Sequence, residues 1–147
     1  MKVNKVIIAV SMEEETQRPL FQLKDLNFSH DTEIHLIHVM PVILYARGMD
    51  LTVLTYPLEE ERPKIVDTVT DKLKKLASEI FPGHSNIVYE CLFDSNEKAA
   101  FCDYVQEQKA DLVVVATRGR HGLKNFFDSS FAQHQLKHSP TNVLVLR

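Results

Sequence analysis

The sequence predicts one α/β domain built on a doubly wound sheet of five mainly parallel strands, with helices on both faces. Three observations carry that prediction. Five apolar runs rich in β-branched residues recur along the 147 residues, each of strand rather than helix length. Segments with helical spacing separate them, so each connection crosses over and neighbouring strands pair in parallel. Right-handed crossovers then favour the order 3-2-1-4-5, with strands numbered along the chain.

The first run is Val6 to Val10, and a helix through about Leu26 follows, with Leu20, Leu23 and Leu26 as its inner stripe. Pro19 belongs in that helix's first turn, where a missing N–H is tolerated. The second run is Ile34 to Val39. From Met40 to Pro57 the chain is apolar without a clean period and carries Gly48 and two prolines, so a long, partly packed loop is expected there. Its length favours a partner-facing role. Leu58 to Ile80 is the clearest helix, with Ile65, Val66, Val69, Leu73, Leu76, Ala77 and Ile80 at helical spacing. Phe81-Pro82-Gly83 stops it. The third run is Ile87 to Phe93, after which Asp94-Ser95-Asn96-Glu97 resembles a capping box opening a helix to about Lys109. Leu112 to Ala116 is the fourth run. A helix from about Ser129 to His138 ends before Pro140, and Val143 to Leu146 closes the set.

Composition bounds the function classes. With 44% hydrophobic and 25% charged residues, residues 1–147 read as one ordinary globular domain. No apolar run nears the roughly 18 residues of a membrane span. The opening MKVNKVIIAV lacks a secretory cleavage pattern, so a cytoplasmic location and no membrane partner are expected. Cys91 and Cys102 match no zinc or redox spacing and read as reduced thiols. From Thr117 onward five basic residues meet one acid, which leaves −7 for the rest of a chain whose total is −3. A positive C-terminal third suits an anionic ligand. Without interleaved aromatics it is no argument for nucleic acid.

The strand order puts the switch point between the first and fourth strands, and ligands bind outside the carboxyl ends there. The loops at Ser11 and at Arg118 to Gly122 meet at that point. Gly119 and Gly122 let backbone approach an anion, and Ser129-Ser130 opens a helix whose free N–H groups supply donors. Arg118 and Arg120 flank Gly119 and suit phosphate, though they also fit as solvated loop arginines. A Gly-x2-Gly loop alone equally serves as a tight connection.

Gly119-Arg120-His121-Gly122, a spacer LKNFFD, Ser129-Ser130 and the final Asn142-Val143-Leu144-Val145-Leu146 resemble the motif of the universal stress protein family. Lys5 to Val10 and Glu33 to Val39 look like its first two strands. The resemblance implies a flavodoxin-like or Rossmann-like fold. It also implies an adenine nucleotide, ATP or AMP, held by Gly119, Gly122 and Ser130, with Mg²⁺ only as a companion of ATP. Val39 then lines the base pocket. In two places the chain departs from the family's ATP-binding pattern: Ser11 stands where an Asp contacts the adenine region, and Ser129 where a Gly begins the Gly-Ser pair. Serine lacks a carboxylate's reach, and at position 129 it is strained if the backbone needs a positive φ. Together the changes weaken binding by about 1–3 kcal/mol.

Other constellations carry less. His35 and His38 lie three apart on a strand, so they leave opposite faces. His134 and His138 share a helix face but lack a third ligand. No nucleophile elbow or P-loop ending occurs, and Asp128 is the nearest carboxylate to the proposed phosphates, where a helix-start charge explains it. The expected function is weak or conditional adenine-nucleotide binding by a homodimer paired through Val143 to Leu146. The alternatives are a nucleotide-free interaction protein working through the Met40 to Pro57 segment, and, last, a slow ATP hydrolase.

Overall fold

The computed structural model describes residues 2–49, 52–117 and 130–147. Five parallel strands form the central sheet: β1 (Lys5–Ala9), β2 (Glu33–Pro41), β5 (Ile87–Asp94), β6 (Leu112–Ala116) and β7 (Asn142–Leu146). Their order is β5-β2-β1-β6-β7, the 3-2-1-4-5 arrangement that the sequence predicts. The remaining strands, β3 (Ile43–Arg47) and β4 (Thr52–Tyr56), make a separate antiparallel pair.

Strand alternation sorts the apolar residues onto two faces. Val6, Ile8, Ile34, Leu36, Val114 and Leu146 pack on one side with Val69, Leu73 and Ile80 of α2 (Arg62–Ile80). Ile7, Ile37, Val39, Val113 and Val115 pack on the other with Phe101 and Val105 of α3 (Glu97–Gln108) and Ala132 of α4 (Ser130–His138). Continuous apolar strands therefore fit a sheet covered on both sides. In α2 the buried positions 69, 73, 76, 77 and 80 form a single stripe.

Three segments differ from the sequence expectation. The helix after β1 is an α-helix only over α1 (Glu14–Gln17), and the chain continues as a 3-10 helix over Arg18–Asp25, with Pro19, Leu20 and Leu23 buried. Proline supplies no N–H to an i−4 carbonyl, which favours the tighter winding. The α3 cap falls two residues later than a capping box on Asp94 places it. Asn96 Oδ1 accepts from the Ala99 N–H at 3.2 Å, while Asp94 Oδ1 accepts from the Asn96 N–H at 2.7 Å. Finally, Met40 to Pro57 is no loop: Pro41 ends β2, and Ile43–Arg47 pairs with Thr52–Tyr56 as the β3–β4 hairpin. Alternation fails as a strand signal there because apolar residues occupy both faces of the hairpin.

Both thiols are free and partly buried. Burial pushes Cys91 up to about 11, helped by the charge of Glu90. Cys102 is also raised, by burial first, and its Sγ donates to Gln135 Oε1 at 3.0 Å.

Candidate functional site

The sheet fixes which chain segments share the carboxyl edge at the switch point. Ala9 is level with Ile37 of β2, and Ile8 with Val114 of β6. The Val10 N–H continues the ladder onto Ile37 O at 2.8 Å. Counting onward at the same register, Ser11 corresponds to Val39 on one side and to Thr117 on the other. By that register Ser11 and Thr117, just past the ends of β1 and β6, fall in one row with Val39 of β2 at the carboxyl edge.

Each member of that row is already anchored. Ser11 Oγ accepts from the Glu13 N–H at 3.2 Å, and its carbonyl accepts from Gln17 Nε2 at 2.7 Å. Its hydroxyl hydrogen is the group it can offer a ligand. Val39 is buried on the α3–α4 side with Ile37, Phe101 and Ala132. Thr117 is also buried, and its N–H donates to Leu146 O at 2.8 Å. That bond carries the β6–β7 ladder one residue past Ala116.

Arg118, Gly119, Gly122 and Ser129 lie outside the described residues. Ser130 is described: it is exposed and opens α4, a nine-residue helix whose last turn carries Lys137 and His138. Helix orientation favours an anion at the Ser130 end. Besides the Cys102–Gln135 bond, two contacts hold α4 against α3. The Phe101 and Phe131 rings meet edge-on at 5.3 Å, and Gln135, fully buried, donates from Nε2 to Lys98 O at 3.1 Å. The described candidate residues therefore have firm supports: Val39 lies within β2, Ser11 follows β1 with its carbonyl held by Gln17, and Ser130 sits on a latched helix.

His38 is the site neighbour that sequence reasoning misses, because weighing it with His35 only as a possible metal pair, and setting it aside, leaves its local role unread. Its Nδ1 lies 2.8 Å from Val10 O, and a carbonyl only accepts, so Nδ1 carries the proton and ties down the residue before Ser11. The signal available in sequence was its parity with Leu36, which puts it on the α2 side. Burial lowers its pKa from the ordinary 6.5, with the Val10 carbonyl and Glu97 opposing and Lys72 adding to the fall. The unfolded chain then takes up a proton first, so stability declines as pH falls from about 6.5 toward the lower folded value. His38→Gln keeps a donor for Val10 and does not titrate. Denaturant melts from pH 7 down to pH 5 should show a shallower loss for this variant, and equal slopes would remove His38 from the account.

His35 has a different job at the far end of the strands. Its Nε2 bonds Glu33, so Nδ1 accepts from the Tyr104 hydroxyl at 2.8 Å, and Lys5 pairs with Glu33 at 3.2 Å. The His35 bond and then Lys5 hold Glu33 below its ordinary value, against the effect of burial. Burial, with Glu90 and Glu33, lifts Tyr104 to about 12, so it keeps its proton. This relay sits where strands begin, away from the ligand end, and serves to clamp β2 to β1 and α3.

His134 and His138 do face the same way, with ring centroids 4.4 Å apart. Among the described residues no group of three His, Cys, Asp or Glu side chains is arranged to hold a metal ion. Among them, too, no helix is long and apolar enough to cross a membrane. A groove of about 450 Å³ runs beside Met12, Arg18, Phe21, Lys72 and Leu76. It follows α1 and α2 rather than the strand ends, and its mixed charges favour no single ligand.

Comparison with known proteins agrees with this architecture. A family model described as the universal stress protein family matches residues 2–147. None of the curated proteins matches the sequence. Among solved structures, the chain is similar to universal stress protein UspA from Lactobacillus plantarum, with a TM-score of 0.67 at 17% identity over 100% of this chain and 99% of that one. It is similar to an Archaeoglobus fulgidus universal stress protein in complex with dAMP, with a TM-score of 0.57 at 14% identity over 100% of both chains. An Arabidopsis thaliana family protein with AMP bound aligns over 97% of this chain and 90% of that one, with a TM-score of 0.57 at 18% identity.

Proposed function

From the premise that the chain belongs to the universal stress protein family, we propose that it binds an adenine nucleotide, AMP or ATP, weakly or conditionally, as a sensor or regulator. The observation that carries this reading is the strand order, which puts a switch point between β1 and β6, with Ser11 just past β1, Val39 near the end of β2 and Ser130 exposed at the start of α4. The dAMP and AMP complexes of the two fold relatives support the same ligand class. Val39 borders the base, the Ser11 hydroxyl takes a polar contact near it, and the Ser130 end of α4 faces the phosphates. Gly119, Gly122, Arg118 and Ser129 complete the cradle in this proposal, and Mg²⁺ accompanies ATP only.

Calorimetric titration with AMP and ATP tests it. Saturable heat is expected, and Ser130→Ala should weaken binding by about tenfold, the worth of one polar contact. No heat at millimolar nucleotide sinks the proposal and leaves the nucleotide-free interaction protein, a reading that the exposed β3–β4 hairpin favours. A slow hydrolase ranks last, because no described carboxylate stands in the row to position water.

We also propose that two copies pair through β7, the last strand of the sheet order. An unprotected edge is a hazard that two-fold pairing removes. A cytoplasmic location fits the free thiols Cys91 and Cys102.

A further inference from the structure

The β3–β4 hairpin is an arm with its own sheet, unconnected by strand pairing to the central one. Directly opposed residues share a face, so the pairs Ile43–Tyr56 and Tyr45–Leu54 set four large side chains on one side. Their exposures run from 40 to 58%. Leu44 and Val53 are exposed on the other side, and Met49 is fully exposed at the tip. A two-stranded hairpin is marginal in water unless a further strand or a packed face supports it. The four side chains of the Ile43–Tyr56 face offer roughly 450 Å² of mostly apolar surface, the size of patch that marks an interaction site, and two copies together bring about 900 Å², the range of weak, reversible association.

We propose that this arm is a self-association surface, packing the Ile43, Tyr45, Leu54 and Tyr56 face against the same face of a second copy of the chain. Charge selects that occupant. Residues 42–58 carry only Arg47 and Asp50, which cancel. Near a two-fold axis a charge meets its own image, so a face of uncharged side chains suits such a contact. A strongly basic or acidic partner would find nothing to pair with. Exposed Glu59, Glu60 and Glu61 at the arm's base repel an anionic lipid surface. In a two-fold pair with the arms antiparallel, each tip lies at the other's base. The two glutamate triplets then stand at opposite ends, about 17 Å apart along five-residue strands and about two Debye lengths away.

The arm springs from the end of β2, whose neighbour β5 is the sheet edge remote from β7. It is thus a second isologous surface, separate from the proposed β7 pairing and independent of the nucleotide reading. Two such surfaces on one chain join pairs into assemblies of four or more.

The chain has no tryptophan, so Tyr45→Trp places a single reporter on the arm. Its emission should move to shorter wavelength as the protein alone is concentrated, in step with larger species in sedimentation velocity. Leu54→Lys in that chain should weaken the step about tenfold or more, with an unchanged far-ultraviolet circular dichroism spectrum. β7 pairing leaves the arm in water and cannot move this signal. Emission that stays that of exposed indole at every concentration overturns the proposal. A shift that appears only on adding anionic vesicles or an unrelated protein also overturns it, in favour of that partner class.

Discussion

Phe101→Ala is expected to lower the unfolding free energy by about 3–5 kcal/mol, the largest effect of any single substitution considered for this chain. Phe101 is the largest of the fully buried side chains and sits where α3 meets the sheet and α4. Truncation loses its transfer from water and leaves a cavity lined by Ile37, Val113 and Phe131, residues held by strand ladders or helix and unable to collapse fully. The loss reaches the ligand end as well. Phe131 follows Ser130, and the edge contact of Phe131 with Phe101 helps fix where α4 begins. Nucleotide affinity should therefore fall along with stability, whereas Val69→Ala on the opposite face should cost stability alone. Equilibrium denaturation in urea, paired with calorimetric titration, checks both parts. A loss below about 1 kcal/mol would mean that the aromatic pair is not a structural keystone.

The second large effect is on assembly. Val145→Pro is expected to convert pairs of chains to single ones, weakening self-association through β7 about a hundredfold or more. Leu146 O accepts from the Thr117 N–H, so even-numbered residues of β7 turn their backbone groups toward β6. Val143 and Val145, of opposite parity, direct theirs to the open edge. Proline at 145 deletes an edge N–H without touching the β6 ladder, as suits an outer strand. Two-fold symmetry doubles the deletion, and two lost bonds of about 1–1.5 kcal/mol each make the hundredfold. Sedimentation equilibrium measures it, and a dimer of unchanged strength would place the interface elsewhere.

Much of this architecture was legible in the residues. Runs such as Val113-Val114-Val115 and Ile34 to Val39 read as buried parallel strands, and crossover handedness then fixed their order. The α2 stripe was equally plain. Two things escaped, each for a physical reason. The arm from Ile43 to Tyr56 lacks alternation because neither of its faces is polar, and periodicity reports burial, not strand geometry. The 3-10 winding at Arg18–Asp25 reflects local hydrogen-bond choice around Pro19, to which side-chain patterning is blind. For the site, the switch-point logic correctly located the carboxyl edge between β1 and β6. It could not foresee that His38 restrains Val10, since that role depends on a side-chain-to-carbonyl contact between adjacent strands.

Sulfur chemistry gives this fold a temperament of its own. With Cys91 lifted to about 11, only about one molecule in ten thousand carries the reactive anion there at neutral pH. Cys102, raised as well, is tied up by an amide. Peroxide and electrophiles should pass both thiols by, so the first oxidative mark on this protein falls on the fully exposed thioether of Met49 rather than on a cysteine.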